Sequence, residues 1–172
     1  VAALKAGVGD DEDIAETQWS PSITIGTPVM IPEHYVGDLT FRLGLYKRLS
    51  TMLDHAEIEG FAAEMVDRFG PLPDEVEQLF ALVRIKALCR RANIDKLEAG
   101  PRGIILSFRD NSFTEPEGLM RYIQQQGSLA KVRPDMRIVF IDDFPKPAQR
   151  LKGAGRILKE LVKIAEGGKA GS

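Results

Sequence analysis

The chain is poor in the residues that most catalytic and metal chemistry needs. Among its 172 residues there is one cysteine, Cys89, and there are two histidines, His34 and His55. A single cysteine excludes an intrachain disulfide and a cysteine metal cluster. Within a helical pattern, Cys89 reads as a small buried thiol rather than a nucleophile. The two histidines fall on different predicted elements and supply little for a zinc site or a catalytic triad. No Gly-x-x-x-x-Gly-Lys-Ser/Thr phosphate loop occurs, because Lys163 stands where Gly168-Lys169 would need its first glycine. No glycine-rich dinucleotide fingerprint follows a predicted strand. No apolar run approaches the roughly 20 residues that cross a bilayer, and no secretory signal opens the chain. The sequence therefore predicts a cytoplasmic protein without a membrane partner. A formal net charge of −2 gives no global pull toward nucleic acid or acidic lipid.

What is present is helical punctuation. Ile58, Phe61, Ala62, Met65 and Phe69 recur at helical spacing and predict one buried stripe. Gly70 suits a helix C-terminus, and Pro71 and Pro73 forbid continuation. Asp74 and Glu75 then place acid in the first turn of a second helix with the stripe Val76, Leu79, Phe80, Val83, Ala87 and Leu88. The result is a tight helical hairpin over residues 56–69 and 74–92. At about 100° per residue, Asp67 points away from the first stripe, with Glu64 and Glu57 on the adjoining flank. Such an acidic side is either a docking surface or a solvated helix face.

The rest of the pattern predicts an α+β fold. Residues 1–20 carry Asp10, Asp11, Glu12, Asp13 and Glu16 and read as a linker. The uncapped opening Val1-Ala-Ala-Leu-Lys5 reads as the start of a fragment of a longer chain. A strand is expected over 22–30, then a helix capped by Asp38 with Leu39, Leu43, Tyr46, Leu49 and Leu53 on its buried face. Two small antiparallel strand pairs follow, one turning at Gly100-Pro101 and one at Pro134-Asp135, with a helix over 115–126 between them. A final helix spans about 148–165. Gly153 and Gly155 are expected to weaken its start by about 1 kcal/mol each relative to alanine. The domain is expected over 21–166, with 167–172 a flexible tail.

Two acidic sites invite a metal reading and are better explained otherwise. Ile138-Val-Phe-Ile-Asp-Asp143 resembles a strand ending in metal-binding carboxylates, but there is no phosphate loop to bring a nucleotide. Asp10-Asp11-Glu12-Asp13 lacks the spacing and late bidentate Glu of a calcium loop. The one nucleic-acid feature is basic. Lys152, Arg156, Lys159 and Lys163 step by helical intervals, so they share a face that is either a phosphate contact or a solvated surface. No aromatic residues interleave to stack bases.

Four phrases occur in a fixed order: Pro28-Val-Met-Ile-Pro-Glu-His-Tyr-Val-Gly-Asp38, Arg42-Leu-Gly-Leu-Tyr-Lys-Arg-Leu49, Glu64-Met-Val-Asp-Arg-Phe-Gly-Pro-Leu-Pro73 and Ile94-Asp-Lys-Leu97. Together they resemble the C-terminal regulatory domain of the bacterial transcription-repair coupling factors, over roughly residues 22–166. Gly153-Ala-Gly155 departs from that family's last helix. The resemblance implies a parent that is an ATP-dependent DNA translocase, acting on stalled RNA polymerase and recruiting the excision-repair ATPase UvrA. Its ATP, magnesium, DNA and polymerase sites would lie in other domains, with residues 1–20 leading in from a translocase domain. This segment would hold no cofactor and do no chemistry. It would pack on the N-terminal UvrA-binding module of the same chain, mask it, and restrain the motor. The family's contacting acids correspond to Glu64 and Asp67, with Glu57 and Arg68 beside them. A nucleic-acid-binding module using the 152–163 face is the alternative.

Overall fold

In the computed structural model, residues 19–26, 29–52 and 54–170 are described, the last three of them as backbone only. Among the described residues, five α-helices and five strands follow in the order β1 (Ser22–Thr24), α1 (Leu39–Ser50), α2 (His55–Phe69), α3 (Asp74–Arg91), β2 (Ile94–Gly100), β3 (Gly103–Phe108), α4 (Pro116–Gln125), β4 (Ala130–Val132), β5 (Ile138–Ile141) and α5 (Pro147–Ala170). The α+β class is as the sequence predicts.

The two strand pairs merge into one sheet ordered β1-β2-β3-β5-β4, because β3 also pairs antiparallel with β5. β1 joins the edge in parallel, setting Ile23 opposite Leu97. Gly103 permits the β3–β5 approach: its φ is 151°, and a Cβ there would overlap the Phe140 carbonyl. The residues facing inward across the ladder are Leu97, Ile104, Leu106, Ile138 and Phe140. They pack with Ile85 and Cys89 of α3, Leu119 and Ile123 of α4, and Leu158 and Leu161 of α5.

A second core lies among the first three helices. It gathers Ile31, Val36, Leu45, Leu49, Ile58, Phe61, Met65, Val76, Leu79 and Phe80. Helix α3 serves both cores, its N-terminal half one and its C-terminal half the other, which couples the hairpin to the sheet. The hairpin closes as its punctuation predicts. Asp54 caps α2 by accepting from the Glu57 N–H at 2.8 Å. At the other end Gly70 takes a φ of 93° and donates its N–H to the Val66 carbonyl. The Tyr35 hydroxyl then donates to the Gly70 carbonyl at 2.7 Å and fixes the turn to the preceding loop.

Three expectations need correcting. The N-terminal strand is three residues long, Ser22–Thr24, and does not run on to residue 30; Pro28 lies outside the described residues. Helix α1 is capped by Asp38 as expected, but its buried residues are Leu45 and Leu49. Leu39 and Leu43, placed inward by the periodicity reading, are 59% and 57% exposed; Leu53 lies outside the described residues. Leu49 is buried and Tyr46 packs on the same core as expected, so spacing placed the C-terminal half of the face correctly and missed its N-terminal half. Helix α5 runs unbroken through Gly153 and Gly155 and on to Ala170. Gly153 is a packing requirement, since a Cβ there would lie 2.6 Å from Cε1 of the Phe144 ring.

Arg150 ties the ends of the domain together. At 9% exposure it donates to the carbonyls of Phe144, Ile25 and Pro145 at 2.9, 2.9 and 3.1 Å.

Candidate interaction surface

The acidic flank of α2 begins with its stripe. Burying Ile58, Phe61 and Met65 turns Asp67 to solvent on the far side, with Glu57 exposed on the adjoining flank and Val66 45% exposed beside Asp67 in sequence. Asp67 makes no ion pair among the described residues. Glu64 is placed differently, because Arg48 of α1 reaches across and donates Nη1 to Oε2 at 2.7 Å and Nη2 to Oε1 at 2.9 Å. Arg68, one turn on, adds a contact at 3.6 Å. The hydrogen bonds from Arg48 hold the Glu64 carboxyl below the usual carboxylate range and raise the Arg48 guanidinium. Both arginines also lie over aromatic rings, Arg48 at 4.5 Å from the Phe61 centroid and Arg68 at 4.8 Å from that of Phe41.

The four predicted residues therefore sit on one flank in unlike roles. Asp67 and Glu57 present carboxylates outward. Glu64 is shared with Arg48, and Arg68 stacks beside it as a cation within the acidic patch. Sequence reasoning missed Arg48. Only the packing of α1 on α2 brings it opposite Glu64, so helical spacing within one element carried no signal for it.

On α5, Lys152, Arg156, Lys159 and Lys163 are exposed along one side, opposite buried Leu151, Leu158, Leu161 and Val162. Two of the four are offset by acids: Arg156 by Asp142 at 3.4 Å and Lys163 by Glu160 at 3.7 Å. Asp142 also accepts from the Asp143 N–H at 2.7 Å, as expected of a polar turn that ends a strand.

Among the described residues, no group of three or more His, Cys, Asp or Glu side chains is placed to hold a metal ion. Cys89 is fully buried, and burial pushes its thiol up to about 12. His34 is exposed, and exposed His55 lies 3.8 Å from Glu59. No helix among the described residues is long and apolar enough to cross a membrane.

The model of the TRCF domain family matches residues 25–119, more than half of the chain. The transcription-repair-coupling factor of Rickettsia bellii is 39% identical over 132 residues, which is 76% of this chain and 12% of that protein. That of Escherichia coli K12 is 28% identical over 166 residues, 96% of this chain and 14% of the relative. The chain thus spans about an eighth of the length of such relatives. A crystal structure of the C-terminal domain of a transcription-repair coupling factor superposes with a TM-score of 0.73. It is 19% identical, and the match covers 86% of this chain and 96% of that one.

Proposed function

The chain belongs to the TRCF domain family, and on that premise we propose that it is a non-catalytic, autoinhibitory docking domain. Its parent, by this reading, is an ATP-dependent DNA translocase that couples stalled transcription to nucleotide excision repair. The domain docks the acidic flank of α2 on basic residues of the N-terminal UvrA-binding module of the same polypeptide. Docked, it masks the UvrA surface and restrains the motor until RNA polymerase is engaged. The observation that carries the reading is Asp67, an exposed carboxylate without an ion pair among the described residues, on a hairpin anchored in a fully packed core. Glu64 takes part as a shared acceptor, because a basic partner there has to divide it with Arg48.

Weak contacts are enough for such a latch. Each exposed ion pair contributes only about 0–1 kcal/mol. A tethered domain experiences an effective concentration of order 1 mM. With an intrinsic dissociation constant of about 10 µM the latch is closed roughly 99% of the time, and losing about 2–3 kcal/mol opens it substantially. The test is charge reversal in the full-length protein. Glu64→Lys combined with Asp67→Lys raises basal ATPase and UvrA binding; wild-type values for both in a folded variant would refute the assignment.

A further inference from the structure

Glu64 enters the docking contact already holding a cation. Both of its carboxylate oxygens accept from the Arg48 guanidinium, Oε2 from Nη1 at 2.7 Å and Oε1 from Nη2 at 2.9 Å. Arg68 Nη1 stands 3.6 Å from the same Oε2. The Arg48–Glu64 pair lies at the surface, its side chains 48% and 37% exposed. A pair this exposed is weak and replaceable, whereas breaking a buried one strands a charge.

Arg48 also has a second partner to stay with. Its guanidinium carbon lies 4.5 Å from the Phe61 ring centroid, so the cation keeps a favourable contact after it gives up Glu64. Asp67, one turn along α2, makes no ion pair among the described residues and needs no such exchange.

We propose that Arg48 is an internal rival for Glu64 that keeps the latch weak, so that docking exchanges one ion pair for another at this position. The inference rests on the docking reading above and adds how the strength of that same surface is set. A basic residue of the partner module reaches Glu64 only by displacing Arg48 and by approaching its positive charge. Competition and repulsion therefore act in the same direction. Asp67 supplies the uncontested attraction, while Glu64 fixes register and contributes little net strength.

The consequence has a definite sign. An exposed ion pair is worth at most about fivefold in an equilibrium constant. With the domain closed roughly 99% of the time, removing the rival lowers the open fraction from about 1% to about 0.2%. UvrA meets only the open form in this scheme, so its apparent dissociation constant rises by the same factor.

The test is Arg48→Met in the full-length protein, which keeps an apolar stem beside Phe61 and removes the charge. Titration against labelled UvrA shows binding weakened about three- to fivefold, and basal ATPase falls. A merely structural role gives the opposite sign, because a loosened domain opens the latch and strengthens UvrA binding. Arg48→Lys keeps the charge but loses the planar fork, and its UvrA affinity falls between those of wild type and Arg48→Met. In a Glu64→Gln background, Arg48→Met changes UvrA affinity by less than about twofold. Asp67→Lys, measured alongside, tests the docking reading itself. If it strengthens UvrA binding while Arg48→Met leaves binding unchanged or strengthens it, the rivalry is refuted and the latch stands. If Asp67→Lys has no effect, the docking reading fails and the rivalry falls with it.

Discussion

Arg48 grips Glu64 in a bidentate ion pair that crosses from α1 to α2, with hydrogen bonds of 2.7 and 2.9 Å. The contact joins the phrase Arg42–Leu49 to the phrase Glu64–Pro73 and orients the face on which Asp67 stands. A carboxylate that reads as outward on a helical wheel is thereby half committed within the domain.

The pair carries a pH signature. The folded carboxyl of Glu64 is held below its unfolded value, so its contribution is present at neutral pH and is lost as pH falls through the folded pKa. A double-mutant cycle of Arg48→Met and Glu64→Gln, read by urea unfolding, gives favourable coupling at pH 7 that fades in acid and in high salt. Coupling that persists after the carboxyl is protonated would contradict an ionic pair.

Two glycines of α5, two residues apart, are expected to respond in opposite directions to alanine. Gly155 has open space around it, so Gly155→Ala stabilises by about 0.5–1 kcal/mol through helix propensity. At Gly153 the new methyl collides with the Phe144 ring, and the same change destabilises by about 1–3 kcal/mol. Thermal melts of the two variants raise and lower the midpoint respectively.

Arg150 is expected to be a stability residue rather than a surface cation. Arg150→Met leaves the carbonyls of Ile25 and Phe144 without their donor, at a cost of roughly 2–4 kcal/mol. Urea denaturation measures this as a lower midpoint, with slope unchanged.

Cys89 is expected to be inert in the native state. Its buried thiol is raised to about 12, so an aromatic disulfide reagent modifies it only as fast as the domain opens. Adding urea past the unfolding midpoint turns a slow reaction into one complete within mixing time.

Much of the hairpin was legible because its signals are local. Gly70, Pro71 and Pro73 stop one helix and start the next, and the stripes Ile58–Phe69 and Val76–Leu88 run at helical period on either side. Asp38 as a cap and the Gly100-Pro101 turn were readable for the same reason. The misreadings are tertiary. Leu39 and Leu43 fit a helical stripe, but the surface that α1 buries is set by α2, which the stripe of α1 cannot see. Gly153 looked like a weak helix position until Phe144 folded onto it. The merging of two strand pairs into one sheet depends on a contact between Gly103 and Phe140, far apart in sequence. At the candidate surface the wheel identified Asp67 and Glu57 as outward. Arg48 needed two helices brought together from different parts of the chain.

The docking account is tested most directly by amide hydrogen exchange on this domain mixed with the separately purified N-terminal UvrA-binding module. Slowed exchange concentrated in α2, His55–Phe69, and abolished by Asp67→Lys, is the predicted result. Saturable binding that leaves α2 exchanging at its free rate, with protection elsewhere, would contradict it.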